Sequence, residues 1–183
     1  FLEHHSKKIK SWLQKSLGGV EISSVTSITL GSGLSPLKDS IEKKGELSFT
    51  EVGIPQSSTL GHGGKFIAGF LNEKPVLLQA GRLHCYEGFS GAIAALPARL
   101  QAIAGIQTFI ITNAAGALDP QFLIGDIIVL TGNDGTLAPS PSIGLHGPSI
   151  GSQFYSVTDP YDQELRNRFL RVGKELRVGP HLH

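Results

Sequence analysis

The segment PVLLQAGRLHCYEG, residues 75–88, joins an apolar run to a loop that carries an arginine, a histidine, a tyrosine and a glutamate between two glycines. A short apolar run followed by glycine is typical of a buried β-strand that ends in a bendable loop. The loop has more polar chemistry than a turn requires. Because ligands of open α/β sheets bind beyond the carboxyl ends of the strands, the loop is predicted to belong to a binding site.

The chain on either side of this segment alternates between strand and helix patterns. Strands are predicted within residues 23–30, 106–117 and 125–132, and a hairpin within residues 65–80 that turns at Asn72 and Glu73. Helices are predicted at residues 4–17, at 90–105 with Ser90 as N-cap and a break near Pro97, and at 159–176 with Asp159 as N-cap. Residues 132–153 are predicted to form a long loop. The expected fold is a single α/β domain over residues 1–183, with a mixed, mostly parallel central sheet and helices on both faces.

Composition narrows the classes of partner and compartment. Sixteen basic and fifteen acidic side chains give a net charge of +1, so there is no broad basic field and nucleic acid is not an expected partner. No apolar run approaches the length of a membrane span, and the N-terminal residues lack the apolar centre of a signal peptide. Cys85 is the only cysteine, which excludes an internal disulfide. We expect a cytoplasmic protein without a membrane partner.

Three glycine-rich loops follow predicted strands and point to one kind of ligand. The first is Gly31-Ser32-Gly33, the second contains Arg82 and His84, and the third begins at Asn113-Ala114. Glycines and small side chains let backbone N–H groups approach a ligand, and a guanidinium offers a fork of donors that matches phosphate oxygens. A fourth glycine-rich stretch contains His62. Together these loops predict an oxyanion site, with phosphate as the first candidate.

Each loop alone also has a plain structural interpretation. Gly-Ser-Gly is most often only a turn, Arg82 could be a surface arginine, and Asn113 could cap a turn. The usual phosphate and dinucleotide fingerprints are absent, because Lys65 is not followed by Ser or Thr and Pro36 replaces a required glycine. Histidines near the ends lack spaced Cys or carboxylate partners, so no metal is expected.

Read in order, these segments resemble the trimeric purine nucleoside phosphorylase family. The matching motifs are GSGL at 31–34, STLGHGGK at 58–65, GRLHCYEG at 81–88, TNAAGAL at 112–118, GDII at 125–128 and YDQELR at 161–166, and the resemblance extends over about residues 25–177. The combination of GRLHCYEG with TNAAG is far more specific than any one glycine motif. The resemblance implies phosphorolysis, in which inorganic phosphate attacks C1′ of a purine nucleoside and yields free base and ribose 1-phosphate.

The resemblance also implies roles for individual residues. Phosphate would be held by Ser32, Arg82, His84 and the backbone N–H of Ala114, with His62 near the same end of the pocket. Substrate contacts would come from Tyr86, Asn113, Ala114 and Phe154, the last reaching a neighbouring subunit's sugar pocket in a homotrimer. His84 and Tyr86 are the candidate catalytic residues. Glu87 is expected to orient Arg82 rather than act as a general base. No cofactor is implied beyond phosphate as co-substrate.

The family's later segment, which binds and protonates the leaving base, has no counterpart in these 183 residues. The chain is therefore interpreted as a fragment, a faulty gene model or a decayed paralogue. A non-catalytic member that binds phosphate or a subunit partner stays open as an alternative. Another phosphate-using transferase of the same fold, such as a methylthioadenosine phosphorylase, is a third, although the intact GRLHCYEG segment favours the purine nucleoside branch.

Overall fold

The computed structural model describes residues 1–57, 64–136, 140–143, 147, 150–152 and 154–176. Its elements are α1 (Leu2–Ser16), β1 (Thr26–Leu30), β2 (Glu42–Ser48), β3 (Lys65–Leu71), β4 (Lys74–Ala80), α2 (Gly91–Ala94), α3 (Leu96–Ala104), β5 (Thr108–Ile111) and α4 (Gln163–Glu175), with 3₁₀ turns at Ile22–Ser24, Ser35–Asp39, Thr50–Val52 and Cys85–Glu87. The chain divides into two compact units, residues 1–114 with 139–153 and residues 115–138 with 154–183.

The first unit is built on a five-stranded sheet in the order β2-β3-β4-β1-β5. Strand β1 pairs in parallel with β4 and with β5, whereas β2/β3 and β3/β4 are antiparallel. The prediction of an α/β fold with a mixed sheet is confirmed, but "mostly parallel" is wrong, because only two of the four pairs are parallel. The hairpin turns the chain straight back, and β2 adds a second antiparallel pair beside it.

Alternate residues of the strands form two separate apolar layers, as the two-residue period of a strand requires. On one face, Phe66 and Leu77 pack in the larger core with residues of both α1 and α3. On the other face, Ile67 and Leu78 belong to a smaller cluster, against which Leu37 of the Ser35–Asp39 turn packs. In the first unit, α1 and α3, the two longest helices that the structure describes there, therefore pack on the same face of the sheet. The sequence had predicted helices on both faces.

Local signals in the sequence locate several elements well. The hairpin turns at Asn72 (φ 46°) and Glu73 (φ 63°), and two positive φ values are the signature of a turn whose twist matches its strands. The predicted helix at 90–105 is divided into α2 and α3, with Pro97 in the first turn of α3. Ser90 caps α2 by accepting from the Ile93 N–H at 3.4 Å.

Other elements differ from their predictions. Strand β2 was not predicted because EKKGELS is charged and lacks an apolar alternation, yet charge suits an edge strand. No strand forms at residues 125–132, where Ile128 and Leu130 are each 43% exposed. Strand β5 was expected to be buried, but it forms the other sheet edge and leaves Ile111 62% exposed.

The second unit contains α4, which begins later than predicted. Asp162, not Asp159, is the N-cap, and its carboxylate accepts from the Leu165 N–H at 2.8 Å. Asp159 instead pairs with Arg166 at 2.8 Å. Both residues are plausible caps in the sequence, and the choice depends on which carboxylate reaches the free N–H groups of the first turn.

A histidine on α1 gives the first unit a predicted pH dependence. His5 lies against the Phe1 ring, with ring centroids 4.4 Å apart, and its Nδ1 is buried without a hydrogen-bond partner among the described residues. Partial burial, and then the nearby charges of His4, the N-terminus and Lys8, lower the pKa of His5 below its ordinary value of about 6.5. The folded state therefore resists protonation of this ring.

We expect the free energy of unfolding to fall as the pH drops below about 6.5, because the unfolded chain then binds a proton that the folded chain binds less well. Urea titrations across pH 5 to 8 measure this slope. His5→Gln should flatten it, whereas His4→Gln, an exposed neighbour on the same helix, should keep most of it. Equal slopes for His5→Gln and the unsubstituted chain would contradict the assignment.

Among the described residues, none of the helices is long and apolar enough to cross a membrane.

Candidate functional site

The three parallel strands end at the same level of the sheet. Leu30, the last residue of β1, is in register with Ala80, the last residue of β4, and Thr29 is in register with Ile111 at the end of β5. The chain segments that follow these strands begin at Gly31, Gly81 and Thr112. They therefore leave the sheet side by side at one edge, which is where ligands of α/β sheets bind.

Thr112, the first residue of the third loop, is hydrogen-bonded to the end of β1 and to each of the other two loops. Its hydroxyl donates to the Thr29 carbonyl at 2.7 Å and accepts from the Gly31 N–H at 2.8 Å. Its carbonyl accepts from Nη1 of Arg82 at 2.8 Å. All three loops thus meet at one residue. Thr112 was not singled out from the sequence, although its position between a predicted strand and Asn113 was a signal.

The approach of the first and third loops depends on the absence of a side chain at residue 31. A Cβ atom on Gly31 would lie 2.8 Å from the Thr112 carbonyl oxygen and 2.9 Å from the Asn113 Cα. Beyond it, the Leu34 N–H donates to the Gly31 carbonyl at 3.1 Å, and Gly33 has a φ of 88°, a value that favours glycine. Ser32 is at the tip of this turn and is exposed.

Arg82 is half-buried, directly after Gly81, whose φ is 115°. A Cβ on Gly81 would lie 2.7 Å from the Gly64 Cα, so the backbones of these two glycines are in close contact. One guanidinium nitrogen of Arg82 is engaged by Thr112, and a guanidinium has five N–H donors in all. Anchored in this way, Arg82 can present a planar fork to an anion while losing little conformational freedom.

His84 is oriented by a carboxylate within the same loop. Its Nδ1 lies 2.7 Å from Oε1 of Glu87, and the same oxygen accepts from the His84 backbone N–H at 3.2 Å. The Ser57 hydroxyl donates to the other oxygen of Glu87 at 2.6 Å, and the Glu87 side chain is 3% exposed. Because a carboxylate only accepts, Nδ1 of His84 carries a proton, and Nε2 is the atom left to face a ligand.

The expectation for Glu87 therefore needs correction. These contacts make it an orienting group for His84, while Arg82 is held by the Thr112 carbonyl. Sequence proximity could not show whether Glu87 orients Arg82 or His84, since both lie within five residues of Glu87 along the chain.

The remaining predicted site residues are placed as follows. The Tyr86 ring stacks on His84, with centroids 4.7 Å apart and planes at 15°, and is 82% exposed. Asn113 and Ala114 are exposed at the third loop, and the Asn113 amide donates to the Ala114 carbonyl at 3.4 Å. Phe154 belongs to the second unit and is 87% exposed. His62 lies outside the described residues.

Comparison with known proteins assigns the class. Residues 27–183 match the model of the Phosphorylase superfamily. Purine nucleoside phosphorylase of Rattus norvegicus is 31% identical over 154 residues, which are 82% of this chain and 53% of the relative. Purine nucleoside phosphorylase 1 of Bacillus subtilis is 32% identical over 152 residues, 82% of this chain and 56% of the relative. The chain spans about half the length of these curated relatives.

Solved structures agree with the sequence comparison. The structure of Schistosoma mansoni purine nucleoside phosphorylase in complex with acetate matches with a TM-score of 0.78 and 31% identity, covering 98% of this chain and 66% of that one. A purine nucleoside phosphorylase in complex with ribose-1-phosphate matches with a TM-score of 0.73 and 28% identity, covering 98% of this chain and 67% of that one. S. mansoni purine nucleoside phosphorylase in complex with inosine matches with a TM-score of 0.70 and 28% identity, covering 98% of this chain and 63% of that one. The chain belongs to the purine nucleoside phosphorylase family.

Proposed function

We propose that the whole protein is a purine nucleoside phosphorylase. It transfers the sugar of purine ribonucleosides or deoxyribonucleosides from the base to inorganic phosphate, giving free base and (deoxy)ribose 1-phosphate. The observation that carries this proposal is the meeting of three glycine-rich loops at Thr112, with Arg82 and His84 among them. Similar proteins that bind ribose-1-phosphate and inosine support it. Because the chain spans about half of its curated relatives, the activity is proposed for the whole protein.

In this proposal the loops hold phosphate through charged and backbone donors. Arg82 supplies the positive fork, the Ser32 hydroxyl and the Ala114 N–H supply neutral donors, and His84 donates from Nε2 when its ring is protonated. The resemblance assigns His62, which lies outside the described residues, to the same phosphate. The carboxylate of Glu87 fixes the His84 ring before phosphate arrives, so little reorganisation accompanies binding.

The sugar is assigned to the aromatic and small residues beside the phosphate. We assign Tyr86, which is stacked on His84, to contact the ribose or bracket the phosphate, and the exposed residues Asn113 and Ala114 to further substrate contacts. We assign Phe154, which is 87% exposed, to the sugar pocket of a neighbouring subunit in a homotrimer. An exposed aromatic ring is typical of side chains that become buried in an interface.

The chemistry needs no covalent enzyme nucleophile. A phosphate oxygen forms a bond to C1′ while the bond from C1′ to the purine nitrogen breaks, and the base leaves with that electron pair and takes up a proton. The sugar carries positive charge in the transition state, which a fixed phosphate dianion on the opposite face stabilises. The loops therefore act by holding the nucleophile in line, an effect worth several kcal/mol, roughly 7–11 in the best-oriented intramolecular reactions.

The test is an assay of hypoxanthine release from inosine and phosphate. The 183-residue chain is expected to bind phosphate without useful turnover, because it lacks the segment that the family uses to hold and protonate the leaving base. A longer version of the protein that carries such a segment should turn over. Loss of even one donor to developing charge typically costs about 10²–10³ in rate.

The two proteins together separate the candidate functions. Phosphate binding by both, with turnover only by the longer protein, supports the phosphorylase. Phosphate binding without turnover in either supports the non-catalytic alternative. Absence of phosphate binding in both, measured by calorimetry, contradicts the assignment of the loops.

A further inference from the structure

Three polar side chains form a buried line of hydrogen bonds that runs from strand β1, through α3 and β4, to the arginine loop. Ser27 of β1 is 1% exposed, Gln79 of β4 is 5% exposed and Gln101 of α3 is 0% exposed. They lie among apolar residues, where an unpaired polar group would cost about 1–3 kcal/mol. Each of them therefore needs hydrogen-bond partners, and these partners extend from the core to the Gly81 carbonyl.

The hydrogen bonds of this line all point in one direction. The Ser27 hydroxyl donates to Oε1 of Gln101 at 2.6 Å, and Nε2 of Gln101 donates to Oε1 of Gln79 at 2.9 Å. Nε2 of Gln79 then donates to the Gly81 carbonyl at 3.0 Å. The second proton of the Gln101 amide goes to the Pro97 carbonyl at 3.1 Å. Because the oxygen and both N–H groups of the Gln101 amide are used, neither glutamine amide can rotate by 180° without losing bonds.

The end point of the line is the peptide that starts the arginine loop. The Gly81 carbonyl belongs to the bond that joins Gly81 to Arg82, and the φ of Gly81 is 115°. Gly81 is free to adopt several conformations because it has no Cβ, so an outside contact is needed to select one. The Gln79 amide supplies that contact, and the chosen peptide orientation sets where the Arg82 side chain begins.

We propose that Gln101, acting through Gln79, is a positioning residue that holds Arg82 in its anion-binding arrangement; this rests on the proposed phosphate site. Two arms fix the arginine: the Thr112 carbonyl holds its guanidinium, and the glutamine line holds its backbone. If Gln101 contributed only to stability, the line of hydrogen bonds that passes through it would not need to reach the arginine loop.

Gln101→Leu tests the proposal, because it keeps much of the volume and removes the bonds that link Gln79 to Gln101 and Gln101 to Ser27. We expect the dissociation constant of inorganic phosphate, measured by calorimetry on the full 183-residue chain, to rise about tenfold. Leu100→Ala is the matched control, since Leu100 is also fully buried on α3. It should lower the unfolding midpoint at least as much and leave phosphate affinity within about twofold of the original.

Gln79→Leu should weaken phosphate binding as much as Gln101→Leu, and the double variant should bind phosphate no more weakly than either, because the connection from Gln101 to Gly81 is interrupted in all three. Gln79→Leu also serves as the test if Gln101→Leu does not fold. Unchanged phosphate affinity in the glutamine variants, or an equal loss in Leu100→Ala, would overturn the proposal.

A second readout separates this proposal from the phosphate site itself. Amide hydrogen exchange at Arg82 and Leu83 should quicken in Gln101→Leu relative to Leu100→Ala, whether or not the chain binds phosphate. If neither this chain nor the longer protein binds phosphate, the assignment of the loops is wrong, and selective exchange would then still support the role of the glutamine line in holding this loop. Equal exchange rates at Arg82 and Leu83 in Gln101→Leu and Leu100→Ala would refute the proposal that the glutamines hold this loop.

Discussion

Arg82→Ala is expected to weaken phosphate binding by about 2–3 kcal/mol, or about 30- to 150-fold in the dissociation constant. In the proposed site, Arg82 makes a charge-assisted, two-pronged contact to phosphate, which the variant removes. The residue is half-buried and bonded to the Thr112 carbonyl, where the three loops meet. Calorimetric titration with inorganic phosphate measures the change. Arg82→Lys should recover only part of the loss, because an ammonium cannot reproduce the geometry of the fork.

Arg99→Ala is the control for this experiment. Arg99 lies on α3 and donates to the Pro141 carbonyl at 3.1 Å, so its removal should reduce stability and leave phosphate affinity within about twofold. Equal phosphate affinity in the two alanine variants would remove Arg82 from the site.

Gly31→Ala is expected to destabilise the first unit and to weaken phosphate binding together. The added methyl group would meet three backbone atoms of Thr112 and Asn113 at 2.8–2.9 Å, and backbone cannot rotate aside as a side chain can. Overpacking of this kind costs about 1–3 kcal/mol, and relief requires the first and third loops to move apart. Chemical denaturation and phosphate titration of the same samples measure both effects.

Gly116→Ala provides the comparison, because a Cβ there would have no atom within 4 Å. Its stability should stay within about 0.5 kcal/mol of the original. If Gly31→Ala binds phosphate normally while being destabilised, the close approach of the two loops matters for folding alone, and Ser32 loses its support as a phosphate ligand.

Elements whose signals are local could be located from the sequence. The turn at Asn72 and Glu73 and the break near Pro97 depend on residues within a few positions, and both are present in the structure. Strand β2 and the absence of a strand at 125–132 depend on which partner lies alongside. A strand exists only where a neighbour pairs with it, and no local pattern reports that neighbour.

The candidate site shows the same division. Glycine-rich loops with Arg82 and His84 were evident because glycine and charge are informative residue by residue. The link between the loops was not, since Thr112 meets Gly31 and Arg82 across separations of 81 and 30 residues. The partner of Glu87 was missed for a different reason: it depends on the 3₁₀ turn at Cys85–Glu87, which brings the carboxylate back onto His84.

The hairpin turn has a practical consequence for measurements on this protein. Strand β4 runs from Lys74, beside the turn, to Ala80, beside the arginine loop, and its six residue steps of about 3.3 Å place Lys74 about 20 Å from Ala80. Asn72 and Glu73 are exposed. A fluorophore or surface anchor attached at Glu73 would therefore lie at the end of the sheet opposite the loops that begin at Gly31, Gly81 and Thr112. It would not occupy the proposed anion site during a binding measurement.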